Sequence, residues 1–520
     1  MENTQYEHIP QEMFEFQQLD AELHDKKLET KSRGYFADAM IRFKKNKSSV
    51  VAAWILLFLV FFSIVSPLIS PNHVDDMDAT YKNHPPFVKA IADKGWGFLD
   101  GGVTHESQSE EQKLMWEAIG IETGMDPVIE VLGTSVQQEK YRGKWIDVTY
   151  YKLKNNKYYE RGVVYRTLPY ERLKEIIKFQ DETGIQVLYP YVEPKDIMGI
   201  KDNANIWYQV KDERGTPIKQ AGEYVLKPAY STNTEMSDII PYDSLRIESD
   251  PGNYIYYYEK SGAVHARVCY FNFYQFELWE KNEGEYHEPM YIFGTNTLGQ
   301  CMFTAIGVGA RFSLIFAVIV AAINLTIGAI IGAIQGYYGG FIDMIIDRFC
   351  DILGGVPFVV VATLFQLHLA DKVPIVVSFG FAFILTGWLS MAALTRKQFY
   401  RFKGQEFVLA ARTLGASDWR LMFKHIFPNS LGTIITSCAL VIPSVISSEV
   451  QMTYLGIINL QDAFGTSIGT LASQGQTAMT SAPHAMLFPS IFISLLLISF
   501  NLFGNGLRDA FNPATRGADG

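Results

Sequence analysis

Apolar positions along this chain fall into two regimes. At 49–70, and repeatedly from 312 to 505, they form runs long enough to cross hydrocarbon, whereas 72–290 mixes short apolar runs with charges, aromatics and turn residues. A membrane-crossing helix needs about 20 mainly apolar residues. Segments of that length lie at 49–70, 312–335, 352–370, 373–394, 431–455 and 484–504, with only Ala370-Asp371-Lys372 punctuating the third and fourth. The fold class expected is therefore an all-α polytopic membrane protein of six transmembrane helices carrying an inserted α+β domain.

Basic residues orient the spans. Arg42, Lys44, Lys45 and Lys47 precede the first, and Arg396, Lys397, Arg401, Lys403, Arg412, Arg420 and Lys424 separate the fourth from the fifth; both segments are expected on the cytoplasmic side. No Lys or Arg occurs between Lys424 and Arg508, which suits an outer loop at 456–483 and a cytoplasmic C-terminus. The first span starts far from Met1 and reads as a retained anchor. The expected organisation is a cytoplasmic tail at 1–48, a first helix at 49–71, an extracytoplasmic domain at 72–290, a five-helix core at 291–507 that includes a cytoplasmic loop at 395–430, and a cytoplasmic tail at 508–520.

The segment 72–290 is too long for an ordinary loop. The aromatic and β-branched runs Tyr150, Tyr151, Tyr158, Tyr159, Val163, Val164 and Tyr165 flank Asn155-Asn156, a pattern predicting a β-hairpin, with further strands at 185–192, 205–211, 253–259 and 264–273. Helices are predicted near 109–120 and 169–181, the second opened by Pro169 and stopped by Gly184.

Composition narrows the chemistry. A net charge of −10 and the lack of a basic stripe away from the membrane flanks argue against nucleic-acid binding. Cys269, Cys301, Cys350 and Cys438 show no metal-ligand spacing, the histidines of the insert (His73, His84, His105, His265, His287) are scattered, and no nucleophile motif accompanies them. Neither a metal, a cofactor nor a catalytic residue is expected on this chain. The GxxxxGK[ST] phosphate loop does not occur in the sequence either.

Residues 404–428 predict a helix, a Gly-Ala-Ser-Asp break and a second helix. Gly415 suits a positive φ at a helix end, Ser417 or Asp418 suits the cap of the next helix, and Pro428 precedes the fifth span. Small Ala410 and Ala411 beside Gly415 and Ala416 leave a surface another protein can approach, with Arg412 available to an acidic partner. By pattern alone, a docking element and a plain interfacial helix pair are equally good readings.

This segment resembles the EAA loop of ABC importer permeases. Ala410, Ala411, Gly415 and Pro428 fall where that loop has its small triplet, its glycine and its distal proline; Leu409 stands in place of the usual Glu, with Glu406 one turn earlier. Phe293-Gly294-Thr295, Gly309-Ala310-Arg311-Phe312-Ser313-Leu314, Gly336-Tyr337-Tyr338-Gly339-Gly340 with Asp343, and Asn501 through Asp509 with Pro513 resemble, in order, blocks of DppC/OppC-type subunits. Asn296, Gln300 and Cys301 depart from residues usually charged in that family. The resemblance covers about 36–71 and 291–516.

It implies a permease subunit of an ATP-driven importer, for peptides or alternatively for nickel or another small solute. A homologous permease, two ATP-binding subunits docked on 404–428 and an extracytoplasmic solute-binding protein would be its partners, in the cell membrane. Glu449 is the ionisable residue inside a span to single out, as a pathway or a structural carboxylate. A membrane-tethered receptor or sensor is the rival class.

Overall fold

The computed structural model describes residues 35–511 apart from 142, 193–204, 206–207, 210–211, 215, 217, 228–229, 233–245, 248–249 and 461–465. Helix α1 (Tyr35–Lys45) leads into α2 (Lys47–Ile69), capped where the Asn46 side chain accepts from the Ser49 amide. The inserted domain carries β1 (Phe87–Val88), β2 (Gly102–Gln108), α3 (Glu110–Thr123), β3 (Val128–Tyr141), β4 (Lys144–Asn156), β5 (Val163–Leu168) and α4 (Tyr170–Thr183). It continues with β6 (Leu188–Tyr189), β7 (Tyr257–Lys260), β8 (Ala263–Cys269), α5 (Tyr270–Lys281) and β9 (Met290–Tyr291). The membrane part follows as α6 (Met302–Tyr338), α7 (Gly340–Gly354), α8 (Phe358–Leu369), α9 (Ile375–Phe402), α10 (Glu406–Thr413), α11 (Asp418–Tyr454), α12 (Ile468–Thr477) and α13 (His484–Phe511).

Five helices (α2, α6, α9, α11, α13) are long and apolar enough to cross a membrane, and α7 with α8 makes a sixth when taken as one span bent by 76°. The expected straight helix at 352–370 is thus broken at Gly355-Val356-Pro357. Proline disfavours the helical region for the residue before it and brings no N–H to the ladder, so Pro357 opens α8 instead of continuing α7. Segment 456–483, expected as an outer loop, contains α12, whose Ile468, Leu471 and Ala472 are buried against the bundle. Its small, uncharged sequence lets it tuck among longer helices. Gly328, Gly332 and Gly336 lie one turn apart on α6 where α9 crosses, and the chain turns after them, at Gly339 (φ 65°) and Gly340 (φ 57°). A Cβ on Gly332 would stand 2.3 Å from the Ala392 carbonyl oxygen and one on Gly336 2.6 Å from the Phe399 Cβ, so only hydrogen allows this approach.

The insert is α+β, as its sequence suggests, but its hairpin is elsewhere. β3 and β4 pair antiparallel from Val128↔Asn155 to Tyr141↔Lys144 around Gly143 (φ 84°), while Asn155 and Asn156 are buried at the end of β4. Asparagine pairs mark turns through local side-chain bonds, and the Asn156 carboxamide does accept from the Tyr158 amide, inside the fold instead of at a loop tip. The strand expected over 264–273 stops at Cys269, and Tyr270–Lys281 becomes α5. Phe271, Phe273, Tyr274, Phe276, Leu278 and Trp279 make that helix apolar nearly all round, and it is buried accordingly. The sheet β2-β4-β3 packs on α3 through Trp116, Ile119 and Leu153; the second sheet runs β7-β8-β5, with β6 also on β8.

A polar knot joins insert and bundle. β1 pairs with β9 (Phe87↔Tyr291), closing the two ends of the insert on each other. Beside them the Asn296 carboxamide donates to Gln300 Oε1 (2.8 Å), Gln300 Nε2 donates to the Val74 carbonyl (2.6 Å), and Thr304 Oγ1 donates to Ser70 Oγ (2.6 Å). Asn296, Gln300 and Cys301, the departures from the family pattern, are all nearly inaccessible there. Neutral amides can satisfy each other in such a place, whereas charges would need partners to offset desolvation.

Candidate coupling site

The first half of the loop folds as its sequence dictates. Glu406 to Thr413 form α10, Gly415 takes φ 82° after its end, and the chain re-enters a helix at Asp418. The second half differs. Ser417 sits at the N-cap without a side-chain bond to the helix, and the helix then runs on through a π-helical turn at Leu421–Ile426 and past Pro428 into the fifth span without interruption. Pro428 stands in the first turn of the regular α-helix that follows the π segment, where a missing N–H is tolerated.

Asp418 is used differently from a cap: its Oδ1 accepts from the Tyr337 hydroxyl at 2.5 Å, and Arg412 Nη2 donates to the same hydroxyl at 3.2 Å. Tyr337 belongs to the last turn of α6, so one phenol joins three elements. Beneath it Val408, Leu421, Met422 and Ile426 are buried with Ala333, Tyr337 and Phe399, and Ala411 and Ala416 pack partly against them. The outward face carries Glu406, Leu409, Ala410, Arg412, Gly415, Ser417, Trp419 and Pro428, all exposed, with Leu414 88 % accessible. Among the described residues no heavy atom lies within 4 Å of a Cβ built on Gly415. This is an open knob whose apolar part is Leu409, Ala410, Leu414 and Trp419, with exposed Glu406 and Arg412 on the same loop, mounted on a packed base.

A charged clamp braces that base. Arg396 on α9 donates to Asp343 (2.7 Å) and Asp347 (2.8 Å) of α7, Tyr400 donates to Asp343 (2.5 Å), and Lys403 Nζ donates to the Gly336 carbonyl (2.9 Å). Sequence reading used Arg396 and Lys403 only as orientation charges. Their spacing with Tyr400 (396, 400, 403) places all three on one helix face, the signal that could have identified them.

Glu449 lies far from this loop. It is 1 % accessible, and its Oε2 accepts from Ser313 Oγ of α6 at 2.9 Å. Close by, Gly309 of α6 meets the Ser467 backbone at the start of α12, and Gly469 meets Thr453. Among the described residues no group of three or more His, Cys, Asp or Glu is placed to hold a metal ion.

Several membrane-length apolar helices, packed through small residues and a buried core, define a multi-pass helical membrane protein. Residues 324–517 match the family described as "Binding-protein-dependent transport system inner membrane component", and 34–86 match the "N-terminal TM domain of oligopeptide transport permease C". The chain is 41% identical over 224 residues to the oligopeptide transport system permease protein OppC of Bacillus subtilis (strain 168), covering 43% of this chain and 72% of that one. It is 37% identical over 235 residues to the dipeptide transport system permease protein DppC of Lactococcus lactis subsp. cremoris (strain MG1363), covering 45% and 66%. To OppC of Escherichia coli (strain K12) it is 35% identical over 230 residues, covering 44% and 74%. The chain belongs to the family of binding-protein-dependent transport system inner membrane components. Neither family match reaches 87–323, where most of the insert lies.

Proposed function

We propose that this chain is the permease subunit of an ATP-driven importer of peptides, paired with a homologous permease and coupled to two ATP-binding subunits through 404–428. The observation that carries the reading is the exposed knob of Leu409, Ala410, Leu414 and Trp419, fixed to the end of α6 by Tyr337 and by the buried side of the same loop. A surface that is apolar, rigidly based and open suits reception of another protein. The relatives, named for oligopeptide and dipeptide transport, favour peptides over nickel.

In this reading the basic loop and both termini are cytoplasmic and the insert faces outside. ATP stays on the partner subunits. Closure of the ATPases would press the knob, and α6, α9 and α11, which share the buried patch beneath it, would carry the movement into the membrane. Glu449 is assigned a structural role, because it is buried and accepts from Ser313 of α6 inside its own bundle. The test is reconstitution of the purified complex in proteoliposomes. ATP-dependent accumulation of a labelled oligopeptide, lost without the solute-binding protein, supports the reading; ATP-independent behaviour, or a chain that purifies without ATPases, refutes it in favour of a receptor.

A further inference from the structure

The β3–β4 hairpin is longer than its support. β2 pairs with β4 only between Tyr151 and Asn156, and α3 packs on the same base through Leu153, Tyr151 and Val128. From Ser135↔Tyr150 to Tyr141↔Lys144 the two strands continue for seven paired positions, joined to no third strand among the described residues. At about 3.4 Å per residue this makes a free ribbon of about 24 Å.

Residues directly opposite on paired strands share a face. One face of the ribbon therefore holds Val136 and Trp145, 65% and 67% accessible, and the other holds Ile146, Val148 and Tyr150 in a row. A two-stranded ribbon with apolar side chains on both faces is marginal by itself in water. A single bound peptide strand on the β3 edge would leave both faces uncovered, whereas a folded partner that clasps the ribbon covers them. Glu139, Lys140, Lys144 and Asp147 among these residues make the ribbon unsuited to a lipid surface.

We infer that this ribbon, residues 135–141 and 144–150, is the arm by which the chain engages a folded soluble protein, the solute-binding protein of the transport system. The inference rests on the importer reading and narrows it. The insert joins α6 at its N-terminal end and the candidate docking loop sits at its C-terminal end; 37 residues at 1.5 Å each separate them by about 55 Å. ATPases seated on the loop are thus out of reach of the insert, and the soluble partner left to the opposite side is the binding protein in the family's own description. Magnitude agrees. Two faces of about 24 by 10 Å offer roughly 500 Å² per partner, at the low end of specific interfaces, as suits a protein that must dock and leave in every cycle.

The test uses the complete transporter in lipid nanodiscs and its purified solute-binding protein. Trp145→Glu and Val136→Glu change exposed positions and should leave assembly intact while weakening binding-protein affinity at least tenfold. A benzophenone amino acid at position 136 should crosslink to the binding protein in cells. Normal affinity in both variants, or crosslinks only to the second permease, overturns the inference and leaves the importer reading standing. A wild-type transporter that binds no solute-binding protein overturns both.

Discussion

The Tyr337 hydroxyl donates to the Asp418 carboxylate at 2.5 Å, so the last turn of α6 is tied directly to the first turn of α11 across the Gly415 bend. Arg412 of α10 reaches the same oxygen, and the loop is held as a unit on the end of one long helix. A push on the loop would therefore be a push on α6.

Tyr337→Phe removes that junction while keeping the ring in its buried patch. A hydrogen bond whose charged partners remain in water contributes about 1 kcal/mol, a factor of roughly five. Peptide uptake at equal ATPase content is expected to fall by about that factor, with membrane insertion unchanged. Uptake equal to wild type would mean that the contact carries no coupling.

Gly415→Asp should insert normally yet abolish uptake. A side chain at φ 82° costs about 1–2 kcal/mol of local strain, too little to unfold the loop, but the carboxylate would project from the open face around Gly415. Gly415→Ala bears nearly the same strain without the charge and should retain most activity. Comparing ATPase co-purification and uptake across the two variants separates strain from obstruction.

Within the insert, Arg267 of β8 donates to both oxygens of Glu122 at the end of α3, the Nη2–Oε2 distance being 2.6 Å, with both side chains 1 % exposed. Burial draws the guanidinium down, but the adjacent carboxylate holds it above its ordinary value. Glu122→Ala would strand a buried cation and should destabilise the insert by about 3–5 kcal/mol, whereas Arg267→Met with Glu122→Leu should restore much of the loss. Limited proteolysis of the intact protein reads both.

His84, buried at the junction of insert and bundle, gives a pH dependence. Burial lowers its pKa from 6.5 to about 4. The opened state binds the proton first, so stability of this junction is complete above about pH 6.5 and is lost as pH falls towards 4, by about 2 kcal/mol at pH 5. Hydrogen exchange at 81–87, corrected for intrinsic rate, should show protection falling accordingly from pH 7 to pH 5. His84→Gln should flatten the dependence.

The membrane helices and the loop were readable from local signals. Apolar runs of span length follow from the hydrocarbon thickness, and the Gly415 break follows from the backbone freedom of one residue. The errors in the insert share one cause. Asn155-Asn156 has the local chemistry of a turn, yet β2 and β4 bury it, and Tyr270 to Phe273 continue the strand expected over 264–273 by their aromatics, yet two cores claim them in a helix. Local propensity loses wherever burial on several sides is available.

The sequence alone determined which stretches are long and apolar enough to cross a bilayer, how the loop at 404–428 bends at Gly415 and which family the blocks resemble, because each depends on near neighbours in the chain. Only the tertiary structure decided that Tyr337 holds Arg412 and Asp418 together, that Glu449 faces Ser313, and that pairing with β2 buries Asn155 and Asn156. Those facts arise from contacts between residues tens to hundreds of positions apart, whose geometry no local pattern encodes.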